Sequence, residues 1–427
     1  RDGRVQQERY WKYRHGRPSR SGERDLAHEL AARLRTAVRR QLEGPGRVGM
    51  ALSAGLDSRI IIAAAPEQPR LCCAYTTGYP GSYDVAGARE LAAVYGVRHL
   101  HLVPQEGCLS ATGPLAVWRT EGCALHAETT SPQFHDRLRP ELDILLAGHA
   151  GGALSGQTLL PLLPGSPAHR DLDGYLFGRT LQLTPGFLRG LVAEGTWREH
   201  WPELRRRFSD TVEELDAAGR HPGDAVIEWN MERRQARFIH HAGQVDRDDF
   251  EIRAPLLDND VVEFFLAVPY RYRFAQRLYK RTLAEAFPQA ARVTWSKTGG
   301  PVPGRPLPIL WQFYADGARK RLEKRFPALA RGKKDRTRTL GVIAAEMRGD
   351  PAYRAEILDP FLSGAAFPDT LLNREAARRV VEEHWSGAAN HCYTVACLAT
   401  LALVYRHFLQ DGLRAPESAP DHRLQAA

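Results

Sequence analysis

Apolar residues recur along the first part of the chain at spacings that predict alternating helices and strands. An amphipathic helix is predicted by apolar residues four positions apart, namely Leu26, Leu30, Leu34, Val38 and Leu42. Short apolar runs typical of strands, and the helix-prone stretches between them, lie at 48–52, 60–65, 71–75, 83–95, 97–103 and 142–147. Because strands alternate with helices, we expect a parallel α/β sheet with its ligand at the carboxyl ends of the strands.

Helix-capping residues, and the composition of the remainder of the chain, refine this outline. Ser82 and Gly96 are placed to act as N-cap and C′ residues of the helix at 83–95. From about residue 175 the pattern becomes mainly helical, and the apolar run at 392–409 predicts a late core helix. The segment 1–20 is polar and basic and is predicted to be a linker or arm, whereas the Pro- and charge-rich tail at 411–427 is predicted to be disordered.

The stretch VGMALSAGLDSRIIIAAA, residues 48–65, combines a predicted strand, a small-residue loop and a predicted helix. Such an arrangement favours anions, because backbone N–H groups at a helix start lack partners and the helix dipole is positive there. Ser53 and Ser58 offer hydroxyl donors, Gly55 allows a phosphate close to the backbone, and Asp57 offers oxygens to Mg²⁺. A simple turn before a helix is the alternative interpretation. The flanking strand and helix favour a nucleotide site, although no Walker-type Gly-Lys-Ser/Thr occurs.

Composition excludes several classes of protein. The chain has 427 residues, enough for two domains or one large one, and its net charge of +9 comes mostly from scattered Arg. The densest basic patch, RGKKDRTR at 331–338, is predicted to be a solvated loop rather than a nucleic-acid site. Without eighteen consecutive apolar residues, no membrane span is expected. We therefore expect neither nucleic acid nor membrane as a partner.

Cysteine spacing and the first residue carry further expectations. The six cysteines include no Cys-x-x-Cys pair, so the sequence supports no zinc or redox site. Thiols in predicted core elements indicate a reducing, cytoplasmic environment. Since the chain starts with Arg1 instead of Met and has no signal-peptide pattern, we expect a fragment or a processed product that lacks an upstream region.

Several ordered blocks give the chain a family resemblance over roughly residues 8–310. They are LSAGLDS at 52–58, YTTGYPGSYD at 75–84, the His99 and His101 pair, EIRAPLLD at 251–258 and VTWSKTGGP at 293–301. Together they resemble the synthetase domain of the asparagine synthetase family, PP-loop ATP pyrophosphatases that include β-lactam synthetases and lasso-peptide cyclases. Ala54 stands where the family usually has glycine.

The resemblance implies a fold, a chemistry and a site. The fold is an α/β PP-loop sheet with flanking helices at 21–310, followed by a helical C-terminal extension at 311–410. ATP and Mg²⁺ are implied, with a small-molecule or peptide carboxylate activated as acyl-AMP, pyrophosphate released and an amine then acylated. Lys297 and Asp57 are the implied catalytic residues, and Asp57 is also the implied metal ligand. The implied nucleotide-binding residues are Leu52, Ser53, Gly55, Asp57, Ser58, Thr77, Gly148 and His149.

One block departs from the family. Where the family reads Gly-x-Gly-x-Asp-Glu-x-x-x-Gly, this chain reads GHAGGALSGQ at 148–157, and Gly152 and Ala153 replace the two acids. The surviving glycine framework predicts that the loop shape is retained, while the second metal-ligating carboxylate is lost. His149 precedes the lost aspartate and is a candidate for contact with nucleotide or substrate.

Each candidate residue also has a structural interpretation. Asp57 could cap the following helix, and Lys297 could be a surface lysine, but their matched blocks favour function. For Glu251, Arg253 and Asp258, support of the fold near the site is the favoured role. His240 and His241 lie in an amphipathic helical stretch, and packing or solvation is favoured over metal binding.

Four functions remain open at this point. Asparagine synthesis is the family default, and a specialised macrolactam or natural-product amide ligase is the runner-up. The loss of the acids at 152 and 153 keeps open a nucleotide-binding pseudoenzyme. A tRNA-modifying PP-loop enzyme is disfavoured, because Cys-x-x-Cys pairs and a concentrated basic face are missing. The family's glutaminase domain has no counterpart here, so it was removed, lies on a separate chain, or is replaced by an amine substrate.

Overall fold

A five-stranded parallel sheet forms the centre of the fold. The computed structural model describes residues 5–65, 70–157, 167–216, 221–305, 340–364 and 367–410, with positions 307–309, 311, 315, 318 and 416. The strands run in the order β3-β2-β1-β4-β5. Their bounds are Val48–Ala51 for β1, Leu71–Thr77 for β2, His99–Leu102 for β3, Ile144–Leu146 for β4 and Glu251–Arg253 for β5.

The predicted α/β class and parallel sheet are confirmed, with shifted element ends. β2 is two residues longer than predicted, since Thr76 and Thr77 continue its pairing with β3. β3 and β4 are shorter than predicted, and the first helix after β1 begins at Leu56 instead of Ile60. β5 was not predicted at all, because three residues with charged ends carry no strand periodicity.

Helices cover both faces of the sheet and build the C-terminal part. Short 3₁₀ segments interrupt or extend them, and so do three π-helical stretches in the described part of the chain, at Asn230–Ile239, Tyr353–Leu358 and Tyr405–Gln410. The α-helices, numbered in chain order, are α1 Glu23–Leu42, α2 Leu56–Ala64, α3 Tyr83–Val94, α4 Cys108–Thr120, α5 His135–Leu138, α6 Gly151–Ser155, α7 Pro167–Arg170, α8 Leu172–Thr180, α9 Pro185–Leu191, α10 Glu194–Asp216, α11 Pro222–Trp229, α12 Asn259–Ala267, α13 Tyr270–Arg273, α14 Arg277–Ala286, α15 Pro288–Arg292, α16 Leu340–Gly349, α17 Asp359–Ser363, α18 Arg374–Ser386 and α19 Cys392–Val404.

Alternating residues of the strands serve two different cores. Met50, Ile144 and Leu146 belong to the large core beneath α1, α2, α12 and α14. On the opposite face, Tyr75 and Leu145 pack with residues near α5. A parallel sheet that is covered on both faces exposes its carboxyl edge, and that edge is where a ligand can enter.

Two local predictions about helices are confirmed. The apolar residues of α1 that are four apart are all buried, with Leu30, Leu34 and Val38 fully excluded from solvent. Ser82 caps α3 by accepting a hydrogen bond from the Val85 N–H at 3.2 Å. Gly96 follows α3 with a φ of 66°, the left-handed conformation that glycine adopts without strain.

A second hydrophobic core joins α4 to the C-terminal helices. Leu109 and Val117 of α4 pack with Tyr353, Val395 and Leu403. The helical run Cys392–Gln410 is long and apolar enough to cross a membrane by length and composition, with a mean hydropathy of 1.4, but 56% of that window is buried inside the fold. Packing in this core accounts for its apolar character.

Some predictions remain where they stood. The basic patch at 331–338 lies outside the described residues, as does the tail at 411–427 apart from position 416. The domain boundary near 310 stays a prediction. Residues 5–22 contain neither helix nor strand in the structure, yet His15 is held there by the buried Glu228, whose carboxylate lies 2.9 Å from Nδ1.

Candidate active site

A cavity of about 680 Å³ opens at the carboxyl edge of the sheet. It lies where β1 and β4 run side by side while their connections leave in opposite directions, the position at which open α/β sheets bind ligands. Its walls include every site residue predicted from the sequence, namely Leu52, Ser53, Gly55, Asp57, Ser58, Thr77, Gly148, His149 and Lys297. The structure therefore brings together residues that are up to 245 positions apart in the numbering of the chain.

The loop between β1 and α2 is closed by its own serines. The Ser58 hydroxyl accepts from the Ser53 N–H at 3.0 Å and donates to the Ser53 carbonyl at 3.1 Å. Ser53 Oγ in turn accepts from the Gly55 N–H at 3.1 Å. The Ser58 hydroxyl thus shapes the loop, while Ser58 also lines the cavity. Gly55, the N-cap of α2, has no side chain, so the first N–H groups of α2 are left without a side-chain cap.

Asp57 lies in the first turn of α2 and faces the loop that follows β4. Its Oδ2 accepts a hydrogen bond from the Gly152 N–H at 3.0 Å, while Oδ1 is buried without a hydrogen-bond partner among the described residues. Burial raises the pKa of Asp57 to about 6, against the opposing effects of the Gly152 N–H and the Tyr279 hydroxyl. When Asp57 is ionised, its buried negative charge would be stabilised by a cation bound next to it.

Glycines of the block at 148–157, which departs from the family pattern, surround Asp57. A Cβ at Gly151 would lie 2.7 Å from Asp57 Oδ1 and 2.4 Å from a methyl of Leu256, and a Cβ at Gly148 would lie 3.1 Å from Asp57 Cβ. Ala150 adopts a φ of 65° at a position where the family pattern has glycine. An L-residue therefore takes a left-handed conformation there, at a cost of about 1–2 kcal/mol, and retention of the family's loop shape stays a prediction.

Lys297 stands at the tip of a tight turn. Trp295 and Gly300 pair across the base of that turn, where the Trp295 N–H donates to the Gly300 carbonyl at 2.8 Å. The buried Trp295 ring lies between two lysines, with Lys297 Nζ 5.5 Å and Lys280 Nζ 5.2 Å from its centroid. The ring therefore directs an exposed ammonium group towards the cavity through a cation–π contact.

Arg59 ties this turn to the loop around Asp57. Its fully buried guanidinium donates to backbone carbonyls of both segments, Ala54 at 3.0 Å on one side and Val293 at 2.7 Å and Thr294 at 2.8 Å on the other. Burial lowers the pKa of Arg59 to about 10, so it remains charged at neutral pH. The sequence analysis assigned it no role.

His149 forms part of the cavity wall next to His240. The two ring centroids are 5.2 Å apart, and burial lowers the pKa of both, that of His240 to about 4. Both imidazoles are therefore neutral at pH 7. His240 packs against His149, and that it does not bind metal stays a prediction. His241 is not among the described residues that line the cavity.

The residues assigned to fold support make ion pairs at the sheet edge. Arg253 pairs with Glu251 at 2.7 Å and also donates to the Gln41 and Glu43 carbonyls. Asp258 pairs with Arg40 at 3.1 Å. These contacts join β5 and α12 to α1, and they lie outside the cavity walls.

Sequence reasoning missed several residues of the cavity wall, among them the polar or aromatic side chains of Asp84, Gln157, Gln276 and Trp295. Asp84, Gln157 and Trp295 lie in the family-like blocks at 75–84, 148–157 and 293–301, and membership of these blocks could have indicated that they line the site. Gln276 carried none. It follows Ala275, and both residues are left-handed, with φ of 57° and 55°. The buried Lys280 holds this strained pair by donating to the Ala275 carbonyl at 2.8 Å.

Replacing Asp57 with Asn should stabilise the unliganded chain at neutral pH. A folded pKa of about 6 against a model value of 3.8 means that ionised Asp57 destabilises the fold above pH 6. The penalty is on the order of 3 kcal/mol and vanishes below pH 4, where both states are protonated. Urea unfolding of wild type and Asp57→Asn from pH 4 to 8 should give curves that diverge as the pH rises.

Asp143→Asn is the matched control, because it should change the stability at neutral pH in the opposite direction. Arg47 lowers the pKa of Asp143 to about 2, so its ionised form stabilises the fold above pH 4 and this variant should lose stability there. A stability difference between wild type and Asp57→Asn that stays constant over the whole pH range would contradict the assignment of a raised pKa.

Comparison with known proteins agrees with the geometry of the site. The Asparagine synthase family matches residues 29–406. A "Probable asparagine synthetase [glutamine-hydrolyzing]" of Acanthamoeba polyphaga mimivirus is 40% identical over 73 residues, an alignment that covers 17% of this chain and 13% of that protein. Since the family match extends over most of the chain, from α1 to the last helical stretch, this protein belongs to the asparagine synthase family.

Proposed function

We propose that the chain is an ATP-dependent amide ligase that activates a carboxylate as an acyl-adenylate. The observation that carries this proposal is the single cavity that gathers Asp57, Lys297 and the loop at the start of α2. A helix start binds phosphate, and a lysine opposite it can stabilise negative charge as pyrophosphate departs. Family membership supports the same chemistry.

The reaction consists of two displacements. A carboxylate oxygen of the substrate attacks the α-phosphorus of ATP, and the bond to the β-phosphate oxygen breaks with release of pyrophosphate. An amine then attacks the acyl carbon, the bond to AMP breaks, and the amine nitrogen loses a proton. The protein contributes orientation and electrostatic stabilisation, because adenylation itself supplies the leaving group.

Roles for the chain's residues follow from their positions. The first turn of α2 would bind the phosphates through its N–H groups, and Lys297 would face the α-phosphate and the departing pyrophosphate. Thr77 and Leu52, at the ends of β2 and β1, would border the nucleoside. His149, which is neutral, would contact the nucleotide or the acyl acceptor from the opposite wall.

Mg²⁺ is part of the proposal, and the donor groups present fit it sparsely. Among the described residues no group of three or more His, Cys, Asp or Glu side chains is arranged for a metal. Asp57 offers a buried oxygen without a partner in the described part of the chain, and phosphates and water commonly supply most Mg²⁺ ligands. When bound, the ion would neutralise charge on the departing pyrophosphate.

ATP with Mg²⁺ should raise the melting temperature of the full chain. A ligand that binds only the folded state stabilises it by about 2.7 kcal/mol at a concentration of one hundred times Kd. Asp57→Ala should remove most of this shift. Asp143→Ala should preserve it, because Asp143 pairs with Arg47 just before β4, at the amino ends of the strands and away from the cavity. No shift and no calorimetric heat at millimolar ATP would overturn the proposed nucleotide site.

A binding-only protein is the second candidate. It is favoured by Gly152 and Ala153, which leave the loop after β4 without the two acids of the family pattern. Under this alternative, ATP stabilises the chain but no pyrophosphate is released with any carboxylate and amine pair. Structures of the ATP complex would then lack Mg²⁺ at Asp57, and Lys297 would point away from the phosphates.

A further inference from the structure

The side chain of Gln157 lies over Gly152, in the volume that a side chain at position 152 would need. A Cβ built on Gly152 would lie only 2.0 Å from Gln157 Oε1. The backbone supports this placement, because the Gln157 N–H donates to the Gly152 carbonyl at 2.8 Å at the end of α6. The carboxamide therefore occupies the position from which residue 152 would reach the cavity.

That position faces Asp57. The same Cβ on Gly152 would lie 3.6 Å from Asp57 Oδ2, and the Gly152 N–H already binds that oxygen at 3.0 Å. Gln157 also forms part of the cavity wall and is exposed to it. The loop after β4 thus brings the Gln157 amide to the same side of the cavity as the Asp57 carboxylate, which lies at the start of α2.

Two of the departures in this block, at positions 152 and 157, are neighbours in space. In the family pattern an acid stands at 152 and a glycine at 157, whereas this chain has Gly152 and Gln157. A side chain at 152 would meet the present position of Gln157 Oε1, the flexible end of an exposed side chain, so the two positions share one volume next to Asp57. Carbonyl oxygens are suitable ligands for Mg²⁺ and Mn²⁺.

We propose that Gln157 Oε1 is the second protein oxygen of a Mg²⁺ site whose carboxylate is Asp57. This inference rests on the proposed function, since the ion enters with the nucleotide. Such a site carries one negative charge fewer than a site with two carboxylates. It would therefore bind the ion more weakly.

Mn²⁺ binding tests the inference directly. The full chain is titrated with Mn²⁺ in the presence of a non-hydrolysable ATP analogue, and free Mn²⁺ is followed by electron paramagnetic resonance. Gln157→Met, which keeps the length but lacks the oxygen, should weaken Mn²⁺ binding about tenfold. Gln157→Glu should strengthen it, because a carboxylate replaces a neutral amide at the same place. Gln105→Met, at an exposed position outside this cavity, is the matched control.

A rescue variant separates metal binding from effects on folding. Gly152→Asp combined with Gln157→Gly restores the family residues at these two positions and removes the close contact between them, so it should bind Mn²⁺ more tightly than wild type. Gly152→Asp alone should gain less, since Gln157 must first move away.

The possible outcomes distinguish the two proposals. Mn²⁺ affinities of Gln157→Met and Gln157→Glu within twofold of wild type, with nucleotide still bound, would overturn the role of Gln157 alone. A wild-type chain that binds no ATP analogue with or without metal would overturn the proposed function, and the metal site with it. Loss of analogue binding in the absence of metal by Gln157→Met would also contradict the inference, because it would assign Gln157 to the nucleotide.

Discussion

Lys297→Ala should lower the rate of pyrophosphate release by about 10²–10³-fold while leaving ATP binding nearly unchanged. Lys297 is exposed to the cavity at the tip of the turn between Trp295 and Gly300. A cation at this point acts mainly on the charge that develops on the departing pyrophosphate, so its loss is felt in the transition state rather than in the ground state. Pyrophosphate release with a panel of carboxylates and amines, beside calorimetry with ATP, measures both quantities.

Lys12→Ala controls for the loss of a positive charge, because Lys12 is an exposed lysine of the N-terminal segment that lies outside the cavity walls. Its pyrophosphate release should equal that of wild type. Equal rates for Lys297→Ala and wild type would remove Lys297 from the chemistry. A parallel fall in ATP affinity and in rate would assign the lysine to ground-state binding instead.

Arg59→Met should destabilise the chain by about 3–5 kcal/mol, since it removes a buried charge that is bound to carbonyls on two segments. Those carbonyls would remain buried and lose their donor. Because Arg59 connects the Asp57 loop to the turn that carries Lys297, the remaining folded protein should also release pyrophosphate more slowly. Chemical denaturation gives the first effect, and assays below the unfolding transition give the second.

Arg59→Lys and Arg24→Met complete this experiment. Lysine keeps the charge but its single ammonium cannot reach the same set of carbonyls, so an intermediate loss is expected. Arg24 is exposed on α1, and its replacement should change stability by less than about 0.5 kcal/mol. A stability of Arg59→Met close to that of Arg24→Met would show that the carbonyls find other donors.

Local sequence patterns were sufficient for the parts of the site that depend on neighbouring residues. The apolar run of β1 and the small residues that follow it predict a strand, a loop and a helix start, and Ser53, Gly55 and Asp57 lie there as expected. Lys297 required a matched block, because no local pattern distinguishes it from a surface lysine.

Other features depend on contacts between distant segments and had no local signal. Arg59 reads as a polar residue in an apolar helix, and three of its carbonyl acceptors come from the distant segment 290–294. The left-handed pair at Ala275 and Gln276 contains no glycine, so turn propensities could not reveal it. The position of Gln157 over Gly152 is likewise a property of the folded loop, although both residues lie in the same block at 148–157.

The second core has a consequence for the order of events during synthesis. α4 lies between β3 and β4 in the chain, yet its partners arrive much later. Ser110 of α4 binds Asp350, 240 residues further on, and His126, in the 3₁₀ segment that follows α4, binds Thr400, which is 274 residues away. At about 5–20 residues per second, the ribosome needs roughly ten seconds to a minute to deliver these partners. Throughout that interval the face of α4 that packs on the C-terminal helices is uncovered, and such transiently exposed apolar surface favours aggregation of the nascent chain.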